Sequence, residues 1–347
     1  MDKLWPRVAV VVLNYNTKNL LEKFVPLLLY TAYPNVEMVV ADNASNDGSA
    51  QWLSTHYPQI RLIQIPENRG YAGGYNYALK LIKADYFVLL NSDVEVPPDW
   101  LMPLVQTAKR DDKIGAIQPK IKDFVVRTKF EYAGAAGGFI DKLGYPFCKG
   151  RLFDILENDE QQFNVDTEIF WASGAALFVK AEVYQKLGGL DEHFFAHMEE
   201  IDLCWRMKSY GYKVKYCADS EVFHMGGGTL SQQNSRKTYL NFRNGLRLII
   251  KNYPKQRFLR AFVLRLFLDG LAGIQFLSKG KFKDVGAIIK AHWHVFGSLN
   301  TWLKYRITTR KMDWETFKDT PGFYNKSIVW QFFAKGKKRF NDLPKIK

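Results

Sequence analysis

Apolar and polar positions along the first 120 residues switch between two periods. Residues 7–13 form an almost unbroken apolar run, as a strand buried on both faces requires. Residues 18–30 then place Leu20, Leu21, Phe24, Leu27 and Leu28 at helical spacing. The same alternation predicts strands over 36–41, 60–65 and 85–90, and helices over 49–56 and 71–83. Strands that take turns with helices build a parallel sheet, whose ligands collect at the carboxyl ends of the strands. Those ends are polar here: Asn14-Tyr15-Asn16, Asp42-Asn43, Glu67-Asn68-Arg69-Gly70 and Asn91-Ser92-Asp93. A binding cleft along that edge is the expectation.

The pattern loosens over 121–170, where Ala133, Gly134, Ala135, Ala136, Gly137 and Gly138 predict a loop. Residues 168–179 are strand-like, 181–187 and 202–210 helical, and 212–217 and 221–224 strand-like again, up to the glycines at 226–228. Beyond about residue 235 the chain reads as helices rich in Arg, Lys, Phe and Trp.

A chain of 347 residues, 47% hydrophobic and 24% charged, has room for one large or two ordinary domains and is not disordered or collagen-like. Its net charge of +14 is uneven: residues 231–347 carry 25 Lys and Arg against 6 Asp and Glu. The earlier part is mildly acidic, so the later part is expected to meet something anionic, such as a membrane surface, nucleic acid or an anionic substrate. Cys148, Cys204 and Cys217 form no CxxC pair, which argues against a disulfide framework or a cysteine zinc site. The first apolar run is too short for a signal peptide, so a cytoplasmic start is expected.

The cleft residues exclude several identities. The turn after the first strand is Asn14-Tyr15-Asn16-Thr17, not the glycines of a dinucleotide site. No P-loop is present, and Ala172-Ser173-Gly174-Ala175 is not a nucleophile elbow. What remains is a sheet that grips a nucleotide with side chains and handles its phosphates through a metal. Asp93, just past a buried strand, is the metal candidate, with a plain helix-start as the alternative.

Taken together, these motifs resemble the family 2 glycosyltransferases, and among them bacterial rhamnosyltransferase-like members. The resemblance runs from about residue 7 to 230. It includes Gly70 with Gly73, Gly74 and Asn76, the Trp171 to Gly174 stretch, Gly188-Gly189-Leu190-Asp191, and Glu199-Glu200 with Asp202, Trp205 and Arg206. It implies a GT-A fold, a mostly parallel α/β sheet flanked by helices. The catalytic part would span 1–230, with a nucleotide-sugar half to about 120 and an acceptor half beyond it. A helical, basic region would follow over 231–347.

By the same resemblance, Asp42 meets the nucleobase or ribose, and Asn14, Asn16, Asn68, Gly70, Asn76, Asn91 and Ser92 line its pocket. Asp93 matches the metal-ligating acid, with Asn91 where an Asp is usual; Glu95 and His224 would add ligands for Mg²⁺ or Mn²⁺. The donor would be a UDP- or dTDP-sugar. Because a sugar hydroxyl is a poor nucleophile, a carboxylate must take its proton. Glu200 matches that base, with Glu199 as the alternative. Asp202 and Arg206 read as a structural i,i+4 pair. Trp171, Gly174 and Trp205 are candidates for the acceptor side, core packing being the other reading of the tryptophans.

The basic region holds one long apolar stretch, 258–277, interrupted by Arg260, Arg265 and Asp269. Three such charges cost roughly 8 kcal/mol to insert, more than its apolar residues return, so it is not expected to span. With Trp293, Trp302, Trp314 and Trp330 it suits a helical bundle lying against anionic lipid, bringing the site to a glycan or lipid-linked acceptor at the inner face of the cell membrane. A helical subdomain or dimer contact is the alternative. His292 and His294 point apart on a helix and are not read as a metal pair. Two other functions compete: a nucleic-acid-binding protein using the basic region, which the acidic first part opposes, and a sugar nucleotidyltransferase, whose early basic glycine-rich loop is missing. Nucleic acid is therefore not an expected partner.

Overall fold

A computed structural model describes residues 5–226, 235–344 and 346; the predicted glycines 227 and 228 lie outside the described residues. The first part follows the expected alternation: β1 (Val8–Asn14), α1 (Lys18–Leu28), β2 (Val36–Asp42), α2 (Ser49–His56), β3 (Arg61–Gln64), α3 (Gly70–Lys80) and β4 (Tyr86–Asn91). There follow β5 (Val94–Glu95), α4 (Leu101–Lys109), β6 (Ile114–Asp123), β7 (Gly138–Asp141), β8 (Pro146–Cys148), β9 (Arg151–Leu152), β10 (Ile155–Leu156) and β11 (Thr167–Glu168). The acidic helix and its neighbours come next: β12 (Ala176–Lys180), α5 (Ala181–Lys186), α6 (Glu199–Ser209) and β13 (Lys213–His224). The chain ends with α7 (Ser235–Asn252), α8 (Phe258–Ser278), α9 (Phe282–Gly297), α10 (Leu299–Thr308), α11 (Trp314–Lys318) and β14 (Phe323–Tyr324).

The main sheet runs β11-β13-β6-β12-β4-β1-β2-β3, with β5 beside β13. Strands β3, β2, β1 and β4 are parallel, as expected. The parallel order stops there: β12 enters antiparallel between β4 and β6, so the sheet as a whole is mixed. In-register pairing sets Asn14 beside Asp42 and Leu13 beside Asn91, which brings the polar strand ends to one edge. Buried aliphatic residues on both faces, such as Val11 with Leu89 and Val10 with Val88, make two cores and explain the unbroken apolar runs.

The loosened stretch holds a second sheet, β10-β9-β8-β7-β14, made of strands of two to four residues. Its last strand comes from the far end of the chain and pairs parallel to β7. The basic region therefore contains a strand as well as helices. The stretch 168–179 is also not one strand: it is broken between β11 and β12 by the turn that carries Trp171 and Gly174.

Helix α8, with the turn before it, is long and apolar enough to cross a membrane by length and composition. Its internal charges also tie it to the rest of the protein. Arg265 Nε donates to Asp269 Oδ1 at 3.1 Å, and Tyr145 and His292 reach the same carboxylate from two other elements.

Candidate active site

At the first three strand ends, side chains bind one another. Asn14 is fully buried; its Nδ2 donates to Asp42, Ser45 and Ser49, and its Oδ1 accepts from Thr17. It therefore fixes Asp42 and does not face the cleft, contrary to the expectation that it lines the nucleotide pocket. Asp42 also accepts from the Ser45 amide at 3.0 Å, while exposed Asn16 accepts from the Asn46 amide. Asn43, named in the sequence only as a polar strand end, ties this turn to the next: its Nδ2 donates to Asn68 Oδ1 and the Gly70 carbonyl, and its Oδ1 accepts from the Arg69 amide. Gly70 has φ +67°, and a Cβ there would stand 2.7 Å from the Phe195 ring. Asn76 again departs from the expected pocket role. Buried on the inner face of α3, it clamps the Leu190 backbone and accepts from Tyr184.

The fourth strand end carries the first acidic cluster. Asp93 Oδ1 lies 3.0 Å from His224 Nε2, and His224 Nδ1 lies 2.9 Å from Glu131 Oε2, all three side chains being buried. Asn91 Nδ2 approaches the same His224 nitrogen at 3.5 Å, and the Ser92 and Thr17 hydroxyls pair at 3.2 Å. Acids on both sides push the imidazole up to about 10 against the opposing effect of burial. Glu95, expected to add a ligand, is turned away: Arg127 holds it by two bonds of 2.8 and 3.0 Å.

Asp93 Oδ1 and His224 Nε2 face each other, so a divalent cation held by both would displace the Nε2 proton, while the Glu131 carboxylate stands behind the imidazole as carboxylates do behind metal-bound histidines. Among the described residues no three His, Cys, Asp or Glu side chains gather around one point. Such a two-donor site fits a divalent cation whose other positions are filled by water and phosphate oxygens.

The second acidic cluster opens α6. Phe195, His197 and Met198, just before it, all have positive φ, a conformation costly for residues with side chains. Buried Asn244 on α7 holds this loop by donating to the carbonyls of Phe194, Ala196 and His197 at 3.0, 2.8 and 2.7 Å. Arg243 and Arg247 bond the Phe194 and His193 carbonyls beside it. The loop thus delivers Glu199 and Glu200 with one buried Oε2 each lacking a partner. Burial raises the Glu200 carboxyl to about 7, against the pull of nearby helix-start amides. Burial first, and then its acidic neighbour, raise Glu199 well above the carboxylate range.

The two clusters share neighbours. Tyr71 and Tyr75 pack edge to face at 4.8 Å; Tyr75 feels the charge of Asp93, and Tyr71 those of Glu199 and Glu200. The buried Cys148 thiol is raised mainly by burial and also by both Glu131 and Glu200. Tyr71, Glu131 and Cys148 were not marked as site residues in the sequence, and the last two lie in its least patterned stretch.

The expected acceptor residues are packing residues. Trp205 is fully buried and stacks on Phe317 at 5.2 Å with the planes 3° apart. Trp171 is buried with its Nε1 donating to the Phe139 carbonyl. Gly174 is buried too, and its carbonyl accepts from Tyr71 OH at 2.6 Å, where a Cβ would collide with that hydroxyl. All three hold the cleft walls together, so a sugar ring cannot stack on either indole.

A family profile described as Glycosyl transferase family 2 matches residues 9–188. N-acetylglucosaminyl-diphospho-decaprenol L-rhamnosyltransferase of Mycobacterium tuberculosis is 27% identical over 231 residues, which cover 62% of this chain and 75% of that one. The low-salt glycan biosynthesis hexosyltransferase Agl10 of Haloferax volcanii is 25% identical over 244 residues, covering 68% and 73%. Among solved structures, a mannosyltransferase from Pyrobaculum calidifontis, in complex with GDP-Man and Mn²⁺, superposes with a TM-score of 0.52 at 18% identity, covering 88% of this chain and 86% of that one. GalNAc-T7 with UDP, GalNAc and Mn²⁺ gives 0.64 at 14% identity, covering 96% and 58%.

Proposed function

The chain belongs to glycosyl transferase family 2, with a fold of GT-A type and relatives in cell-wall and polysaccharide biosynthesis, and from that premise we propose an inverting transfer of a hexosyl group, rhamnosyl-like in class, from a UDP- or dTDP-sugar to a hydroxyl of a glycan or lipid-linked acceptor. Residues 1–230 form the catalytic part, and the basic region beyond serves the acceptor side at the inner face of a membrane. What supports the reading is a pair of acidic clusters joined by the packed rings of Tyr71 and Tyr75, one anchored to a histidine and the other with a buried Oε2 on each glutamate that has no partner among the described residues.

Asp42, held by Asn14 and the Ser45 amide, would accept from the ribose or base of the donor. Asp93 and His224 would hold Mg²⁺ or Mn²⁺, which, when bound, screens the negative charge that grows on the leaving diphosphate. Glu200 takes the proton of the acceptor hydroxyl as that oxygen forms its bond to the anomeric carbon. Its raised pKa suits the task, because a base that titrates near working pH is both ionised and strong enough to accept a proton. Direct displacement from the face opposite the leaving group inverts the centre, which is why base and metal acid occupy separate clusters.

Thermal shift with a panel of nucleotide-sugars, with and without Mn²⁺, tests the donor half: the right donor should raise the melting temperature and Asp93→Ala should remove the Mn²⁺-dependent part. Absence of stabilisation by every nucleotide-sugar would reject the reading.

A further inference from the structure

Beside the loop that leads into Glu199 lies a cavity of about 580 Å³ between α7 and α9. Phe195 and Tyr239 wall it together with four cations, Arg236, Arg243, Lys283 and Lys290, and no acid lines it among the described residues. Asp284, the nearest acid on α9 by sequence, is engaged by the Thr238 hydroxyl at 2.6 Å. The cations are arranged, not merely numerous. Arg243 is fixed by the Phe194 carbonyl and Tyr239 OH, the Lys290 ammonium lies 5.6 Å over the Tyr239 ring, and the Arg236 guanidinium lies 5.5 Å over Phe195. A site with this charge and volume suits a phosphoryl or diphosphate group with an organic substituent.

The surface next to the cavity indicates what the substituent is. On α9, Phe282, Ile289, Trp293 and Phe296 form an exposed stripe, and on the adjoining α8 so do Leu259, Val263, Phe267 and Ile274. Trp293 is 78% exposed and Leu259 70%. Lys283 and Lys290 follow Phe282 and Ile289 directly, so each cation stands about 100° round the helix from an apolar neighbour. A cationic cavity and an apolar stripe thus share one helix. Exposed apolar strips of this extent mark binding surfaces.

We propose that this cavity binds the diphosphate headgroup of a lipid-linked acceptor, whose hydrocarbon lies along the α8–α9 stripe. The assignment rests on the glycosyl-transfer reading and adds the acceptor's chemical class and its seat. Phe195 lines the cavity and borders Gly70, and its loop leads into Glu199 and Glu200, so an acceptor held there would lie next to the segment that carries the proposed base.

The test is calorimetric titration of the full chain with farnesyl diphosphate, inorganic pyrophosphate, farnesol and UDP. Farnesyl diphosphate should bind about tenfold or more tightly than pyrophosphate or farnesol, and UDP should not displace it. Lys283→Glu with Lys290→Glu changes two exposed side chains and should weaken that binding about tenfold or more, leaving thermal stabilisation by the nucleotide-sugar donor intact. Trp293→Gln should narrow the gap between farnesyl diphosphate and pyrophosphate. Unaltered farnesyl diphosphate binding in the double variant would overturn the assignment. Equal affinity for pyrophosphate would reduce the cavity to a free phosphate site, and displacement by UDP would give it to the donor; either outcome overturns the lipid acceptor. Failure here with donor stabilisation intact would leave the glycosyl-transfer reading standing, whereas that reading fails on the donor panel alone.

Discussion

Glu200 and Asp202 are two residues apart in the first turn of α6, both deeply set, and the protein treats them in opposite ways. Asp202 accepts from Arg206 Nε at 2.8 Å, Lys251 Nζ at 2.9 Å and Asn252 Nδ2 at 2.8 Å, and these partners hold its carboxyl below the usual range in spite of burial. Glu200 has a buried Oε2 without a partner and no cation beside it among the described residues, and it is raised to about 7. One helix start thus supplies a structural acid toward α7 and, beside it, the acid proposed as the base. A buried acid given counter-charges is a strut; one left without them keeps a proton affinity that catalysis can use.

Exchange of the carboxylates for amides separates the two roles most sharply. Glu200→Gln should lower turnover by about 10²–10⁴-fold, measured as sugar transfer from nucleotide-sugar, with the protein still folded by circular dichroism. Activity within a few-fold of the parent would erase the distinction and pass the role to Glu199. Asp202→Asn should do the reverse, costing about 3 kcal/mol of stability because Lys251 and Arg206 lose a buried counter-charge; urea unfolding measures it, and no loss would mean the strut is dispensable.

Asn244→Ala sits between these extremes. It removes the side-chain donor of the Ala196 and His197 carbonyls, while Arg243 still serves Phe194, so a loss of about 2 kcal/mol is expected, and turnover should fall with it while donor binding persists. The smallest effect is a pH trend. Turnover should rise with pH up to about 7 and level off above, as Glu200 ionises. Stability runs the other way: since burial raises this group in the folded state above its unfolded value near 4.5, its contribution is whole at low pH and fades as pH climbs through about 7. The Glu200→Gln chain should lack that fade, and parallel melting curves at pH 6 and pH 8 would show it.

Much of this was legible in the order of residues. The long apolar runs of β1, β2 and β4 announce strands buried on both faces, and their polar last residues announce an edge where ligands gather. Arg206 four residues after Asp202 gave the structural pair directly. The second sheet was hidden because strands of two to four residues are too short to show a period, and β14 arrives from more than 180 residues away. Glu131 escaped for the same reason, its meeting with His224 being a product of tertiary pairing. Trp171 and Trp205 misled because an indole beside a cleft and an indole behind its wall read identically in one dimension. Their burial beside Phe139 and Phe317 decides the matter.

Helix α7 comes after the acidic residues in the chain, yet its Asn244, Arg243 and Arg247 hold the strained turn before them from behind. The seam for building hybrids between relatives is therefore not where the charge changes sign, near residue 230, but about two dozen residues later, at Pro254. A graft that exchanged the basic helices at the earlier point would inherit every acid and lose the side chains that brace the turn leading into Glu199 and Glu200.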